Sequence, residues 1–433
     1  MSDLRTIEKH LYQGTIGGGE IALRQKSRSV TLLVIAEILA MSLWFASAAI
    51  LDDLTRNNQL SSFQAAALSS SVQLGFVIGA LVSAVTGISD RYDPRRVFAV
   101  FVAIAAIANL ALLTDPGAGI ATALRLLTGI CLAGVYPVGM KIVVGWGTDD
   151  RGFLVGLLVG GLTLGSASPH LLAFVGGANW QLTIFGTSLL ALLSALLVLR
   201  CRLGPHDARA SSFSASAISV VWTDKRIRCA FAGYFGHMWE LYAMWAWIGV
   251  AATASYALQL PQTDAESFGK LTAFCVIAGG ALLCPLAGIF ADRFKQQDGN
   301  SNATEEKSLR ASNNKSRGKA IVAIISMIVS LLSAVLAAVT FGGPAWLFFS
   351  VAMLWGLSII PDSAQFSALV ADFTRPQIAG SIMTLQTAIG FAITILTVQL
   401  TPLVANAAGW PTVFVILALG PLVGIFAMLP LRH

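Results

Sequence analysis

The sequence predicts an all-α membrane protein with twelve transmembrane helices in two pseudo-symmetric six-helix bundles. Three observations support this fold class. Of the 433 residues, 56% are hydrophobic and 12% are charged, whereas a soluble domain carries about 25% charged residues. Apolar runs of about 20 residues, the length that crosses a bilayer, recur along the chain. Features of the first half return in the second half at nearly constant offsets, which indicates an internal duplication.

The apolar runs divide into six spans before a polar linker and six after it. Spans 1 to 6 are predicted near 30–51, 62–86, 97–114, 118–144, 153–175 and 180–199. Spans 7 to 12 are predicted near 229–255, 267–291, 319–341, 345–369, 377–400 and 410–430. The predicted domains are an N-terminal arm 1–29, a first bundle 30–199, a linker 200–228 and a second bundle 229–430 with a polar loop 296–319.

Lysine and arginine residues concentrate in alternate loops. If the N-terminus is cytoplasmic, 24 of the 28 Lys and Arg residues fall on the cytoplasmic side. The positive-inside rule therefore predicts that both termini are cytoplasmic, in a multi-pass protein of the cell inner membrane. We expect that the polar N-terminal arm is not a secretory signal. In a membrane protein the net charge of +6 does not indicate nucleic-acid binding.

The duplication is visible in short motifs at the ends of spans. Asp90–Arg91 follows span 2 and Asp292–Arg293 follows span 8, and the two aspartates lie 202 positions apart. Pro137 on span 4 and Pro361 on span 10 lie 224 residues apart. The polar loop after span 8 accounts for the larger second offset. Parallel repeats of this kind build many alternating-access transporters.

These motifs resemble the signatures of the major facilitator superfamily. One family signature lies in the loop after span 2, where this chain has Asp90, Arg91, Arg95 and Arg96. Its second copy here contains Asp292 and Arg293. The resemblance implies a rocking transporter whose cytoplasmic gate contains these six residues. The alternative is a basic loop that serves only to orient the chain.

Ionisable residues at membrane depth are costly and are functional candidates by default. We select Glu37 on span 1, Arg125 on span 4, and His237 and Glu240 on span 7 as candidates for proton coupling. Arg125, followed by Gly129 and Pro137, resembles a second family signature that is often implicated in proton coupling. By that resemblance Arg125 would pair with Glu37; the alternative is a purely structural buried pair. His237 and Glu240, at i and i+3, are placed to share a proton.

One face of span 7 combines aromatic rings with titratable groups and suits a central cavity, although an interfacial aromatic belt is the commoner role for Trp and Tyr. Span 10 has a similar polar face. Gln73 and Gln386 are neutral amides on other spans, and the alternative to a cavity role for them is packing between helices. The predicted cavity residues are Trp44, Gln73, Tyr234, Met244, Trp247, Trp355, Asp362, Gln365 and Gln386.

The sequence as a whole predicts a secondary active transporter for a small organic solute or anion, coupled to protons. The alternatives are an uncoupled facilitator or exchanger, or a receptor on the same scaffold that does not transport. We expect no enzymatic activity, cofactor or metal site, because the five cysteines lack metal-ligand spacing and no phosphate-binding loop is present. The expected partners are the solute, protons and the bilayer, and the expected state is a monomer.

Overall fold

The structure is a computed structural model that describes residues 23–147, 150–177, 179–205, 217–296 and 305–432. The side chains at 57–58, 89–90, 217–218, 291–296, 305–315 and 376–377 also lie outside this description. All regular secondary structure within the described ranges is helical. The predicted all-α fold class is therefore confirmed, and each of the twelve predicted spans corresponds to helix.

The first six spans occupy the chain up to residue 198. Span 1 consists of a helix at 23–41 and two short helices, Ala46–Ala49 and Leu51–Asn58. Spans 2 and 3 are Ser62–Thr86 and Pro94–Leu110, with a short helix Ile88–Arg91 between them and a 3₁₀ turn Ala111–Thr114 after span 3. Span 4 consists of Gly117–Leu132 and Tyr136–Val144, span 5 is Arg151–Gly176 and span 6 is Trp180–Val198.

The second six spans follow a short helix, Ala217–Thr223. Spans 7, 8 and 9 are Lys225–Tyr256, Gln262–Gln296 and Glu305–Thr340. Span 10 consists of Ala345–Ile359 and Ser363–Phe373, span 11 is Pro376–Ala408, and span 12 is Trp410–Met428 with a 3₁₀ turn Leu429–Arg432. Span 9 begins at Glu305, so residues 305–319 are helical where the sequence predicted a loop.

Ten of the helical segments in the described ranges are long and apolar enough to cross a membrane. The other two predicted spans are span 1, which is broken into three helices, and span 7, which contains His237, Glu240 and several Trp and Tyr residues. Span 1 is thus broken and span 7 is rich in polar side chains, and these two spans contain three of the four predicted proton-coupling residues, Glu37, His237 and Glu240.

Each set of six spans packs mainly within itself. Span 2 packs on span 4 and span 3 on span 6, whereas span 7 packs on spans 8, 11 and 12. The two sets meet where span 5 packs on span 8 and span 2 packs on span 11. Gly152 and Gly288 allow the first of these contacts, because a Cβ at Gly288 would overlap the Gly152 carbonyl group. Small residues let membrane helices approach closely in this way.

Spans 4 and 10 are broken at equivalent places. Span 4 is interrupted at 133–135, just before Tyr136 and Pro137, and span 10 is interrupted at 360–362, around Pro361. Proline has no backbone N–H and its ring clashes with the preceding helical turn, so a break at this point is expected. The two prolines are the pair that lies 224 residues apart in sequence. The breaks therefore belong to the duplicated scaffold.

Candidate functional site

Arg125 on span 4 binds the broken end of span 1. Its Nη2 donates to the carbonyl oxygens of Leu43, at 2.9 Å, and Trp44, at 2.6 Å, and its Nη1 donates to Asn109 Oδ1 at 3.1 Å. The side chain is fully buried. Carbonyl groups at the C-terminal end of a helix carry partial negative charge and stabilise a cation there. The guanidinium therefore holds span 1 at its break.

Asn109 extends this network to span 6. Its Nδ2 donates to Thr187 Oγ1 at 3.1 Å and to Ser188 Oγ at 3.0 Å. Asn109, Thr187 and Ser188 are all buried. Spans 1, 3, 4 and 6 are thus joined by one buried polar network. Networks of this kind fix the relative positions of the elements that they join.

Glu37 is fully buried on span 1, and neither carboxyl oxygen has a hydrogen-bond partner in the described part of the chain. Its Oε2 lies against Gly139 of span 4, where an added Cβ would come within 2.7 Å of it. The predicted pair between Glu37 and Arg125 is not formed, because the Nη atoms of Arg125 bind carbonyl groups and Asn109 instead. Burying an unpaired carboxylate costs far more than burying the neutral acid.

The second repeat, spans 7 to 12, contains a cluster of ionisable groups contributed by spans 7 and 10, with a serine of span 9 beside them. His237 Nδ1 lies 3.0 Å from Asp362 Oδ1, which is an ion-pair distance. Glu240 accepts hydrogen bonds from Ser330 Oγ at 2.8 Å and from Trp355 Nε1 at 2.7 Å. His237, Glu240 and Asp362 are at most 2% exposed. His237 was expected to share a proton with Glu240, but its contact is with Asp362.

An aromatic cluster joins the two repeats at the centre of the molecule. Its members, all buried, are Trp44, Phe45, Phe76, Tyr242, Trp245 and Phe391. The ring centroids of Phe76 and Phe391 are 4.6 Å apart, and those of Trp44 and Tyr242 are 5.6 Å apart. Such separations are typical of favourable aromatic pairs. The cluster therefore packs spans 1 and 2 against spans 7 and 11.

Charged side chains join the two repeats on the distal side, which we define as the membrane side opposite the described chain ends. Arg56 Nη1 lies 2.6 Å from Glu266 Oε1, and Lys270 Nζ lies 3.2 Å from Asp53 Oδ2. Lys270 also donates to the carbonyl oxygen of Gly177 at 3.1 Å. These contacts connect spans 1 and 5 to span 8, so they close the distal end of the boundary between the repeats.

The predicted gate residues lie at the opposite, proximal end. Arg95 donates to Asp93 Oδ2 at 2.6 Å and to the carbonyl oxygen of Cys201 at 2.9 Å, both within the first repeat. The hydrogen bond from the Arg95 side chain to Asp93 lowers the pKa of Asp93. Arg91 and Arg96 are exposed. The side chains of Asp90, Asp292 and Arg293 lie outside the described part of the chain.

The remaining predicted cavity residues are buried but differ in their contacts. Trp247 Nε1 donates to the Val398 carbonyl oxygen at 3.0 Å, and Gln386 Nε2 donates weakly to the Ala230 carbonyl oxygen at 3.5 Å. Tyr234 packs near His237, with ring centroids 6.2 Å apart. Gln73, Met244 and Gln365 are also buried.

Sequence reasoning missed five of the six rings in the aromatic cluster: Phe45, Phe76, Tyr242, Trp245 and Phe391. Tyr242 and Trp245 belong to the aromatic stretch of span 7, but the face chosen there contained Tyr234, Met244 and Trp247. Phe76 and Phe391 carry no distinguishing signal, because a phenylalanine in a membrane span more often packs or faces lipid.

The described helices and their buried polar groups define a multi-pass membrane protein with the architecture of a transporter. The family model described as "Major Facilitator Superfamily" matches residues 33–299. The chain belongs to the major facilitator superfamily. This result confirms the family predicted from the motifs after span 2 and on span 4.

Individual relatives agree with this assignment. The "Putative uncharacterized transporter YgaY" of Escherichia coli strain K12 is 29% identical over 180 residues, which are 40% of this chain and 43% of the relative. A solved structure of a mutant of the nucleoside transporter NupG matches with a TM-score of 0.64 and 15% identity, covering 93% of this chain and 100% of that chain. At this identity, the structural similarity shows a shared fold only.

Proposed function

We propose that this chain is a secondary active transporter that moves a small organic solute or anion by alternating access and couples that movement to protons. The observation that carries the proposal is the buried pair of His237 and Asp362 beside Glu240. Ionisable groups at this depth are costly, so those that are kept there commonly mark a substrate or proton pathway. Membership of a transporter family supports the transport step, and the buried pair supports the proton step.

The break in span 10 suggests how proton binding changes the structure. Asp362 immediately precedes the helix Ser363–Phe373, and its contact with His237 joins this helix to span 7. When Asp362 binds a proton it loses its charge, and its attraction for the imidazole weakens. The helix after the break is then free to move relative to span 7. Glu37, beside the equivalent break in span 4, is the corresponding group of the first repeat.

Flux measurements in proteoliposomes test the proposal. We would screen labelled organic solutes and anions for uptake driven by an imposed pH gradient, while a dye trapped in the vesicles reports proton movement. We expect uptake and proton flux to appear together. Asp362→Asn and Glu240→Gln, which keep the size of each side chain, should abolish the proton flux that accompanies the solute.

Asp150→Asn is the matched control, because this aspartate forms a part-exposed ion pair with Lys26 at the proximal surface. It should retain coupled uptake. Solute uptake without any proton movement in the unmodified protein would favour an uncoupled facilitator or exchanger. Absence of solute uptake under every gradient would contradict the transport function.

Alternating access also requires the distal contacts to break when the protein opens on that side. The proposed opening separates Arg56 from Glu266 and Lys270 from Asp53. Arg56→Glu should increase labelling of introduced distal cysteines, because it places like charges opposite each other. The double variant Arg56→Glu/Glu266→Arg should return labelling towards that of the unmodified protein. We further propose that Asp90, Arg91, Arg95, Arg96, Asp292 and Arg293 form the gate at the proximal, cytoplasmic side.

A further inference from the structure

A group of buried polar atoms at the centre of the molecule lacks partners among the described residues. These atoms are the indole Nε1 atoms of Trp44 and Trp245 and both amide atoms of Gln73. None of the three side chains is more than 2% exposed. Folded proteins rarely leave buried donors and acceptors unpaired. Four such atoms on three spans indicate a place where another molecule completes the hydrogen bonds.

The aromatic cluster contains two of these residues, and the third lies beside it. Ser70, Gln73 and Phe76 follow one another at three-residue steps along span 2, so they lie close together on the helix surface. Ser70 accepts a hydrogen bond from Gln399 of span 11 at 2.8 Å, and Phe76 packs against Phe391 of the same span. Gln73 lies between these two contacts and therefore faces the boundary between the repeats.

Apart from Arg125, whose Nη2 donates to the Trp44 carbonyl oxygen, the charged groups described above lie away from the rings. Glu37 precedes Trp44 by seven residues, or about 10 Å along a helix, and the distal ion pairs lie beyond the opposite end of the cluster. Arg125 is committed through its Nη atoms to Asn109 and to the carbonyl groups of span 1. Apart from the Nε of Arg125, the polar atoms named above that lack partners beside the rings are uncharged N–H and C=O groups.

We infer that this central site binds an uncharged, planar aromatic or heteroaromatic solute with an amide-like edge. The inference rests on the proposed transport function and specifies its substrate class. The ring of the solute stacks among rings contributed by both repeats. Its polar edge offers a donor and an acceptor to the amide of Gln73 and an acceptor to an indole N–H. A carboxylate would lose its hydration at a place where the nearest cation, Arg125, already donates through its Nη atoms to Asn109 and to the carbonyl groups of span 1.

Three small probes separate the contribution of charge from that of ring shape. Benzamide is planar and uncharged, benzoate keeps the ring but carries a charge, and cyclohexanecarboxamide keeps the amide on a ring that is not planar. Binding is measured by calorimetry on the purified full-length protein in detergent, at a fixed pH and without a gradient. We expect benzamide to bind about tenfold or more tightly than either analogue, which corresponds to the loss of one good interaction.

Two variants test the site itself. Gln73→Leu and Trp44→Phe should each weaken benzamide binding about tenfold, because each removes a hydrogen-bonding group and keeps an apolar side chain of similar shape. Trp346→Phe, at a tryptophan that is 70% exposed, should bind benzamide as the unmodified protein does. Thermal unfolding of each variant confirms that it is folded.

Preferential binding of benzoate, equal binding of the three probes or failure of benzamide to bind would overturn this substrate class. Unchanged benzamide binding in both Gln73→Leu and Trp44→Phe would overturn the site. The measurement involves no proton gradient, so it is independent of the coupling mechanism. Absence of solute uptake or of accompanying proton flux in the unmodified protein, with intact benzamide binding, would contradict the proposed function alone.

Discussion

The two repeats place ionisable side chains beside equivalent helix breaks but surround them differently. In the first repeat, Glu37 lies against Gly139 just after the break in span 4, without a hydrogen-bond partner among the described residues. In the second repeat, His237 lies against Asp362 at the break in span 10, and Glu240 accepts two hydrogen bonds nearby. The duplicated scaffold has kept the break while the polar partners have diverged.

This difference separates two physical roles for a buried acid. A carboxyl group with partners contributes to the packing of the helices that it joins, and its removal leaves an uncompensated group behind. A carboxyl group without partners costs stability and persists only where another requirement keeps it. The two repeats should therefore respond in opposite directions when their acids are replaced by apolar residues.

The largest effect is expected at Asp362. Asp362→Ala removes one member of a fully buried pair and leaves His237 without its partner. We expect the free energy of unfolding to fall by about 3–5 kcal/mol, as for other buried ion pairs that lose one partner. Chemical denaturation of the purified protein in detergent micelles measures this change.

The double variant His237→Phe/Asp362→Leu is the control, because it replaces both partners by apolar residues of similar size. It should recover most of the stability that Asp362→Ala loses. A single variant as stable as the unmodified protein would show that the contact does not support the fold, and the contrast between the repeats would then disappear.

A smaller effect of opposite sign is expected at Glu37. Glu37→Met replaces an unpartnered carboxyl group by a flexible apolar side chain of similar length. We expect the free energy of unfolding to rise by about 1–3 kcal/mol, which is the cost of one unsatisfied buried polar group. The same denaturation experiment detects the change. A decrease in stability would mean that Glu37 has a stabilising partner after all.

The helical spans could be predicted from the sequence, but the partners of the buried polar groups could not. The long apolar runs predicted the spans. The breaks in spans 4 and 10 were not predicted, although the repeated prolines at 137 and 361 lie beside them and disrupt helices by their local chemistry. The partners of Glu37, Arg125 and His237 could not be derived in the same way. They depend on helix rotation and on which backbone carbonyl groups a break releases, and both are set by packing between spans that are distant in sequence.

A substitution at Gly139 tests the close contact between Glu37 and span 4 that distinguishes the first repeat. Gly139→Ala adds a Cβ within 2.7 Å of Glu37 Oε2, so it should destabilise the protein by about 1–2 kcal/mol through overpacking. In a Glu37→Ala background the added methyl group has room, and the effect should fall close to zero. A double-mutant cycle measures this coupling.

The matched control for Gly139 is Ser363→Ala, at the position 224 residues later in the second repeat. This change removes an oxygen atom and adds no bulk. We expect its effect to be independent of the residue at position 37. Equal effects of Gly139→Ala with and without the Glu37 side chain would place the strain elsewhere in span 4.

The smallest effect is expected where aspartates cap the first helical turns of spans 3 and 7. Asp93 accepts hydrogen bonds from the Arg95 backbone N–H at 2.9 Å and from Arg95 Nη2 at 2.6 Å, and its pKa is lowered by the side chain of Arg95. Asp224 accepts from the Arg226 backbone N–H at 2.8 Å, but its contact with Arg226 Nη2 is 3.4 Å long.

Asp93→Asn should lower the free energy of unfolding at neutral pH by about 0.5–1 kcal/mol, since the ion pair is partly exposed, and Asp224→Asn should lower it by less. Because the pKa of Asp93 is lower in the folded state, its contribution is complete above the unfolded pKa of about 3.9. This contribution is lost as the pH falls through the folded value. Denaturation curves between neutral and acidic pH should therefore converge for Asp93→Asn and the unmodified protein at the acidic end. Curves that stay separated there would show that the hydrogen bonds of Asp93, and not its charge, anchor the start of span 3.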